Sequence, residues 1–270
     1  MVAGVYRQPD AGGAVMSEPL ATWLDRDGAL LRLRLSRPKA NILDAAMIAA
    51  LDAAFAAHVD NPALKTVLID AEGPHFSFGA SVEEHMPDSC GQMLAALHAL
   101  IRRMVECPVP ILVSIRGRCL GGGLELAAAG HRLFASADAE LGQPEMMLGV
   151  FAPAASCLLP ERIGQAAAED LLWSARTIPA TEAREIGLTD VIDPDPEEAA
   201  LSWFDKHLSG KSASSLRHAV RAARADLAER ISAKLERVER LYLDDLMRTH
   251  DAVEGLTAFL EKRPANWSNQ

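Results

Sequence analysis

The sequence is poor in cysteine, in positive charge and in long apolar runs, and each shortage disfavours a class of protein. Its four cysteines are scattered and include no Cys-x-x-Cys pair, so neither a disulfide framework nor a zinc site is expected. Lysine and arginine number 27 against 37 aspartate and glutamate, a net charge of −10, which disfavours nucleic acid or an anionic membrane as the main partner. A reducing cytoplasm is the expected location.

Signals for export and for membrane insertion are also missing. The first residues lack a basic flank followed by an apolar core, and no stretch reaches the roughly 18 continuous apolar residues of a membrane span. We predict that residues 1–17 form a mobile tail, and Met16 is a candidate for the true start of translation.

Beyond the tail, short strand-like runs alternate with helical ones, which indicates an α/β architecture. Apolar residues recur every three or four positions in the first predicted helix, with Asp44 as its N-cap. This alternation predicts a core over residues 18–208. The strands and helices predicted in its first half are 29–36, 44–58, 66–71, 91–107 and 110–117.

From Ser212 onward the pattern is nearly all helical, so residues 209–270 are predicted to form a helical C-terminal subdomain. An apolar stripe on this segment indicates packing within the subdomain or a contact between subunits. The stripe consists of Leu227, Ile231, Leu235, Val238 and Leu241.

Residues of chemical interest concentrate in "IRGRCLGGGLELAAAG" (115–130), where a predicted strand leads through three glycines into a helix. A helix N-terminus exposes unpaired N–H groups and the positive end of the helix dipole, so it can stabilise a developing negative charge. The segment lacks the Gly-Lys-Ser/Thr of a P-loop, and Leu126 stands where a dinucleotide fingerprint needs its third glycine. The eight histidines form no His-Glu-x-x-His motif, so no metal is expected.

Two glutamates in apolar surroundings, Glu125 and Glu145, suggest general acid/base chemistry. Each alone is more simply a helix stabiliser or a salt-bridge partner. Together, burial and mutual repulsion can separate their pKa values, so that one holds a proton while the other accepts one. A second glycine element, "HFSFGASVEEH" (75–85), offers further N–H groups that would complete an oxyanion hole.

With these motifs in order, the sequence resembles the crotonase, or enoyl-CoA hydratase/isomerase, superfamily. "LSRPKANIL" is similar to its L-x-R-P-x-A-x-N-x-L entry, "FSFGAS" to its F-x-x-G-A-D and "LGGGLELA" to its G-G-G-x-E-L. "GQPEMMLGV" resembles G-x-P-E-x-x-L-G, and "EGLTAFLEKRPANW" resembles the closing E-G-x-x-A-F-x-E-K-R-x-P. The five matches extend over nearly the whole chain after the tail.

The resemblance implies a crotonase spiral of ββα units (the ClpP/crotonase-like fold) with C-terminal helices that assemble trimers, often paired into hexamers. It implies an acyl-CoA substrate, with coenzyme A as part of that substrate and no other cofactor. By position, the N–H groups of Ala80 and Gly122 would form the oxyanion hole, and Glu125 and Glu145 would be the hydratase carboxylates. Retention of both carboxylates favours a hydro-lyase that adds or eliminates water.

The chain departs from the family pattern in the substrate-binding segments. The usual aspartate after Gly-Ala is Ser81, and a lysine often found shortly afterwards near the CoA phosphates is missing. The residues expected to contact the acyl-CoA are therefore Arg37, Lys39, Ala40, Gly79, Ser81, Val82, Gly121, Phe151 and Lys262.

The segment "GVFAPAASCLLPERIG" (149–164) replaces a glycine-rich stretch that lines the acyl pocket in ordinary family members. With "FSFGASVEEHMPD", it resembles the cyclohexa-1,5-diene-1-carbonyl-CoA hydratases of anaerobic benzoyl-CoA degradation, which implies 1,4-addition of water to a cyclic dienoyl-CoA. A conventional 2-enoyl-CoA hydratase, or another crotonase-type lyase or isomerase, is the alternative. A non-catalytic RNA-binding or scaffold protein of the same fold is a third possibility, disfavoured by the retained glutamates and the negative charge.

Overall fold

The computed structural model describes residues 18–270 of the chain. The predicted mobile tail at 1–17, and with it the proposed start at Met16, lies outside the described residues. Within the described part, the alternation of strands and helices read from the sequence is confirmed.

A six-stranded sheet and a smaller three-stranded sheet form the framework. The large sheet has the order β1-β2-β3-β4-β6-β9, with β1 antiparallel to β2 and the remaining pairs parallel. The small sheet has the order β5-β7-β8. The strands are β1 Leu20–Asp25, β2 Leu30–Leu35, β3 Thr66–Ala71, β4 Ile111–Ile115, β5 Arg118–Leu120, β6 Arg132–Ala135, β7 Glu140–Gly142, β8 Thr177–Pro179 and β9 Val191–Ile192.

Helices cover both faces of the large sheet, as parallel sheets require. Asp44 caps α1 by accepting a hydrogen bond from the Met47 N–H at 2.8 Å, so the cap expected there is confirmed. The helices are α1 Ala45–His58, α2 Cys90–Val105, α3 Gly122–Ala129, α4 Pro153–Ile163, α5 Gln165–Ser174, α6 Ala180–Glu185, α7 Pro196–His207, α8 Ala213–Arg240 and α9 His250–Leu260.

Leucines of β2 contribute to two apolar cores. Leu31, Leu33 and Leu35 are fully buried in the main core, together with side chains of α1 and α2. Leu30 lies in a second cluster formed with α7, which includes Phe204. Apolar burial on both faces is the main stabilising contribution to such a sheet.

Two arginines of β2 belong to a charged cluster on the large sheet. The carboxylate of Asp70 accepts hydrogen bonds of 2.6 Å from both Arg32 and Arg34, and Glu197 accepts from the same two guanidinium groups at 2.5 and 2.8 Å. Both guanidinium groups also lie over the ring of Trp23, at 4.9 and 5.4 Å from its centroid. Every charge of this ion cluster is therefore paired.

The long helix α8 packs along α2 and α4. Ile231 and Leu235 of the predicted apolar stripe are buried in the main core, and Leu227 and Val238 are half-buried against it. Leu241 departs from the prediction because it is 49% exposed.

The next residue, Tyr242, takes the buried position instead of Leu241 and is fully enclosed. It lies in a π-helical turn, Leu241–Asp245, that continues α8. Between residues 18 and 270, no helix has both the length and the apolar composition needed to cross a membrane.

Candidate active site

The three glycines form the junction between β5 and α3, as their sequence predicts. Gly121 has φ of 50° and ψ of −129°, a conformation that side chains disfavour. A Cβ atom at Gly121 would also lie 2.7 Å from a carboxylate oxygen of Glu145. Glycine at this position is thus required both by the turn and by the close approach of the carboxylate.

The two glycine elements converge on one point. Ala80 forms a parallel β-bridge with Leu43. The two hydrogen bonds of this bridge involve the residues on either side of Ala80, because Leu43 N–H donates to Gly79 C=O and Ser81 N–H donates to Leu43 C=O. The N–H of Ala80 therefore points the other way, towards α3. A Cβ atom on Gly122 would lie only 3.0 Å from Ala80 N. The backbones at Ala80 and Gly122 therefore approach each other closely, with no space for a side chain at Gly122.

The N–H groups of Ala80 and Gly122 have no hydrogen-bond acceptor among residues 18–270. Gly122 is the first residue of α3, where N–H groups lack an intrahelical acceptor and the helix dipole is positive. Two unpaired donors at such a place are suited to bind an oxyanion. The geometry thus brings together the two groups expected from the sequence.

Glu125 lies in the first turn of α3 and is only 4% exposed. Its Oε1 accepts a hydrogen bond of 2.8 Å from the N–H of Ala155, in the first turn of α4. No lysine or arginine in the described part of the chain forms an ion pair with it. Burial raises the pKa of Glu125 to about 7, although the N–H groups of Ala155 and Ala154 oppose that rise.

Glu145 lies in the short 3-10 turn Pro144–Leu148 and is half-buried. The two methionines that follow, Met146 and Met147, are 45% and 62% exposed, so the apolar run around this glutamate is at the chain surface. Burial raises the pKa of the Glu145 carboxyl well above its usual value, and the negative charge of Glu125 raises it further. The two carboxyl groups are therefore coupled, and the ionised form of one favours the protonated form of the other.

Gln143 is a buried neighbour of Glu145 that sequence reasoning missed. Its amide is oriented with the nitrogen towards the Glu145 carboxyl, at 3.1 and 3.0 Å from the two oxygens, because both amide atoms then have suitable partners. It lies next to the Pro-Glu motif, but a glutamine there carries no signal that tells it from a surface residue.

The small residues expected to contact the acyl-CoA lie around the two glycine elements. Ala40 is buried and its C=O accepts from Phe78 N–H at 2.9 Å. Ser81 donates through Oγ to Glu83 at 3.1 Å. The other members of this group are Gly79, with φ of 112°, Val82, which is buried, and Gly121. Their contact with acyl-CoA stays a prediction.

The three cations expected near the CoA phosphates have different surroundings. The Arg37 guanidinium is bonded to the carboxylate of Asp44, so its charge is already compensated. Lys39 is exposed and precedes Ala40, whose C=O is bonded to Phe78 of the second glycine element. Lys262 is exposed just after α9, and its N–H donates to Phe259 C=O at 3.1 Å. The side chain of Arg37 thus has a structural task in pairing with the carboxylate that caps α1.

Phe151 follows Glu145 by six residues and packs edge-to-face against Tyr242, with ring centroids 5.3 Å apart. The family resemblance points to Phe151, whereas Tyr242 is not predicted because the apolar stripe was extended from Val238 to Leu241. Within the described residues, no group of three or more His, Cys, Asp or Glu side chains is placed to hold a metal ion.

Comparison with known proteins identifies relatives over almost the whole chain. The sequence profile of the enoyl-CoA hydratase/isomerase family matches residues 25–270. A cyclohexa-1,5-dienecarbonyl-CoA hydratase of Thauera aromatica is 68% identical over 254 residues, which cover 94% of this chain and 98% of the relative. A crotonyl-CoA hydratase of Syntrophomonas wolfei is 32% identical, covering 90% of this chain and 96% of the relative.

Solved structures agree with this assignment. An enoyl-CoA hydratase from Mycobacterium avium superimposes with a TM-score of 0.83 at 26% identity, covering 94% of this chain and 100% of the neighbour. An enoyl-CoA hydratase from Bacillus halodurans also has a TM-score of 0.83, at 20% identity, covering 89% and 99%, which shows the fold alone. The crotonase fold expected from the motifs is confirmed, and the chain belongs to the enoyl-CoA hydratase/isomerase family.

Proposed function

We propose that this protein is a hydro-lyase that adds water to cyclohexa-1,5-diene-1-carbonyl-CoA, giving 6-hydroxycyclohex-1-ene-1-carbonyl-CoA. The observation that carries the proposal is the pair of glutamates, without cationic partners in the described chain, beside two converging N–H groups. The 68% identity to a hydratase named for this substrate supports the choice of acyl group.

The first step is activation of the thioester. The N–H groups of Ala80 and Gly122 bind the carbonyl oxygen and stabilise the negative charge that develops on it. In the diene, ring carbon 2 is conjugated to the carbonyl in the β position, so polarisation makes it electrophilic. The hydrogen bonds from these two donors stabilise the addition transition state more than the bound substrate, because the negative charge on the oxygen increases as water adds.

Glu125 is the base of the proposed reaction because the N–H of Ala155 stabilises its ionised form, and Glu145 is the acid because the charge of Glu125 raises its pKa. It removes a proton from water as the water oxygen bonds to carbon 2, and the electrons of the 1,2 double bond move towards the thioester to form a dienolate. Glu145 then donates its proton to carbon 5. The thioester carbonyl re-forms and the ring double bond moves to carbons 1 and 6, which completes a 1,4-addition.

After one turnover Glu125 holds the proton from water and Glu145 is ionised. Transfer of one proton from Glu125 to Glu145 restores the starting state, and their close electrostatic coupling favours that transfer. Gln143 holds the Glu145 carboxyl in place through the cycle. The scheme uses the protein, the acyl-CoA substrate and one molecule of water.

The test compares hydration of cyclohexa-1,5-diene-1-carbonyl-CoA with hydration of crotonyl-CoA by the purified protein. We expect kcat/KM at least tenfold higher for the diene. In deuterium oxide, one deuterium should appear on the ring carbon opposite the hydroxyl-bearing carbon. Faster turnover of crotonyl-CoA would instead favour a conventional hydratase, an alternative supported by the 32% identity to a crotonyl-CoA hydratase.

We infer trimers, or hexamers of paired trimers, from family membership, and a cytoplasmic location from the acyl-CoA substrate and four free cysteines. Sedimentation analysis of the purified protein tests the assembly. Absence of binding to both acyl-CoA compounds in calorimetry would favour a non-catalytic protein of the same fold.

A further inference from the structure

Tyr242 has a buried hydroxyl without a hydrogen-bond partner in the described chain. The side chain is fully enclosed, and neither a backbone nor a side-chain group of residues 18–270 bonds to its oxygen. A buried hydroxyl without a partner destabilises the fold, so such groups are rare and call for an explanation. A phenylalanine at this position would fill the same space without that cost.

The backbone around Tyr242 is also unusual. The residue lies in the π-helical turn Leu241–Asp245 at the end of α8. π-Helical turns are rare in proteins and occur frequently at functional sites. In this turn, Tyr242 points into the core while the preceding Leu241 is half exposed.

The ring of Tyr242 packs against the segment 150–155, which follows Glu145 and is hydrogen-bonded to both glutamates. Its edge-to-face partner is Phe151. One residue before Phe151, the N–H of Val150 donates to the C=O of Glu145 at 3.3 Å. Four residues after it, the N–H of Ala155 donates to the Glu125 carboxylate. The phenol therefore lies beside the segment that sets the positions of both carboxyl groups.

The electrostatic surroundings agree with that position. Burial raises the pKa of the Tyr242 phenol, and the charges of Cys90, Glu145 and Glu125 raise it further. The hydroxyl therefore stays protonated at neutral pH and is available as a donor. Its neighbours in the main core are otherwise apolar.

We propose that the Tyr242 hydroxyl binds the reacting oxygen, first as water and then as the hydroxyl group of the product. This inference rests on the proposed hydration of the cyclic dienoyl-CoA. The acyl group has one hydrogen-bond acceptor, the thioester oxygen, and in the proposed mechanism that oxygen is bound by the N–H groups of Ala80 and Gly122. The oxygen of the reacting water is therefore the acceptor that remains for the Tyr242 hydroxyl.

The proposed bond has a defined task in the reaction. Water that donates to Glu125 and accepts from Tyr242 keeps one lone pair free, and that lone pair is directed at carbon 2 of the ring. The half-buried Phe151 ring packs edge-to-face against the phenol, so the proposed bond requires this ring to move aside when the acyl ring enters. Tyr242 thus acts as a donor that fixes orientation and does not transfer its proton.

The test uses Tyr242→Phe, which removes the hydroxyl and keeps the ring. Its ligands are 6-hydroxycyclohex-1-ene-1-carbonyl-CoA and cyclohex-1-ene-1-carbonyl-CoA, which differ only in the hydroxyl group. In calorimetry we expect about tenfold weaker binding of the hydroxylated ligand and unchanged binding of the other, the loss of one hydrogen bond. The kcat for hydration should fall by a similar factor, and the melting temperature should stay equal or rise.

Ser136→Ala is the matched control, because Ser136 has another buried hydroxyl without a partner and lies at the end of β6. It should leave both affinities and kcat unchanged. An equal loss of affinity for both ligands in Tyr242→Phe would indicate packing alone and overturn the inference. A shifted pH profile with an unchanged ratio of affinities would place the bond on a carboxylate and also overturn it.

The experiment separates this inference from the proposed function. If the unmodified protein hydrates the diene but Tyr242→Phe keeps the ratio of affinities, only the role of the tyrosine is refuted. If the unmodified protein neither binds the two ligands nor hydrates the diene, the proposed function is refuted and the role of Tyr242 with it.

Discussion

Asp70 and Glu125 are both buried carboxylates, with 3% and 4% exposure, but their neighbours differ completely. Asp70 accepts hydrogen bonds from two arginines of β2 in a cluster where every charge is paired. Glu125 has backbone N–H groups of α4 as partners and no cation. One chain thus contains a compensated buried charge and an uncompensated one.

The difference shows what each region is built for. Removing one partner of a buried ion pair destabilises the protein, because the other charge is left buried without compensation. An uncompensated buried carboxyl has a pKa near neutrality, so it can accept and release protons under physiological conditions. The ion cluster therefore predicts stability effects, and the carboxylate pair predicts effects on activity.

Glu125→Gln should give the largest effect on activity and a negligible effect on folding. Loss of the base should lower kcat for diene hydration on the order of 10³-fold. Thermal unfolding should occur at the same or a higher temperature, because an ionised buried group is removed. Glu161→Gln, on an exposed ion pair with Arg230, is the control and should keep full activity. Near-normal turnover of Glu125→Gln would refute the role of this glutamate as base.

Asp70→Ala should have the opposite effect. It leaves Arg32, which is 4% exposed, without its buried carboxylate, and should lower the free energy of unfolding by about 3 kcal/mol. The kcat of the folded protein should not change. Urea unfolding measures the loss, with Asp52→Ala as the control because its pair with Arg103 is exposed. Equal losses in both variants would contradict the distinction between the two kinds of pair.

Gly122→Ala tests the anion-binding N–H groups independently of the carboxylates. The new methyl group would lie 3.0 Å from Ala80 N and fill the space between the two donors. We expect kcat to fall on the order of 10²-fold. The control is Gly210→Ala, because a methyl group there meets nothing within 4 Å. Full activity of Gly122→Ala would show that the thioester oxygen binds elsewhere.

The pH dependence of the reaction should reflect both carboxyl groups. Glu125 must be ionised, so kcat/KM should fall about tenfold per pH unit below its pKa of about 7. Glu145 must be protonated, and because burial and the charge of Glu125 raise its pKa, a second decline is expected on the alkaline side. In Glu145→Gln the residual activity should keep the acid limb and lose the alkaline one. An unchanged profile in this variant would contradict the assignment of acid and base.

Local patterns predicted much of the fold. The Asp44 cap, the α1 periodicity and the strand runs are signals carried by neighbouring residues, and the structure confirms each of them. The pairing of β7 with β8 and the position of β9 at the sheet edge depend on contacts between residues far apart in the chain. Sequence periodicity contains no information about such contacts.

The same distinction applies to the site. Glu125 and Glu145 were identified because motifs mark them, but the partner of Glu125, the N–H of Ala155, is 30 residues away and becomes adjacent only in the fold. Tyr242 was missed for a different reason. Helical periodicity places the next buried residue either three or four positions after Val238. The stripe was extended by three positions to Leu241, whereas the buried residue is Tyr242, four positions after Val238.

The first turn of α4 couples the choice of acyl group to the ionisation of the proposed base. Its residues Ala154 and Ala155 bond to the proposed base, while the same segment begins at the proposed wall of the acyl pocket beside Phe151. A library that reshapes this wall for a larger ring will also shift the pH at which the enzyme works best. Selection for a new acyl group should therefore be carried out at several pH values, or improved pockets will be discarded as inactive.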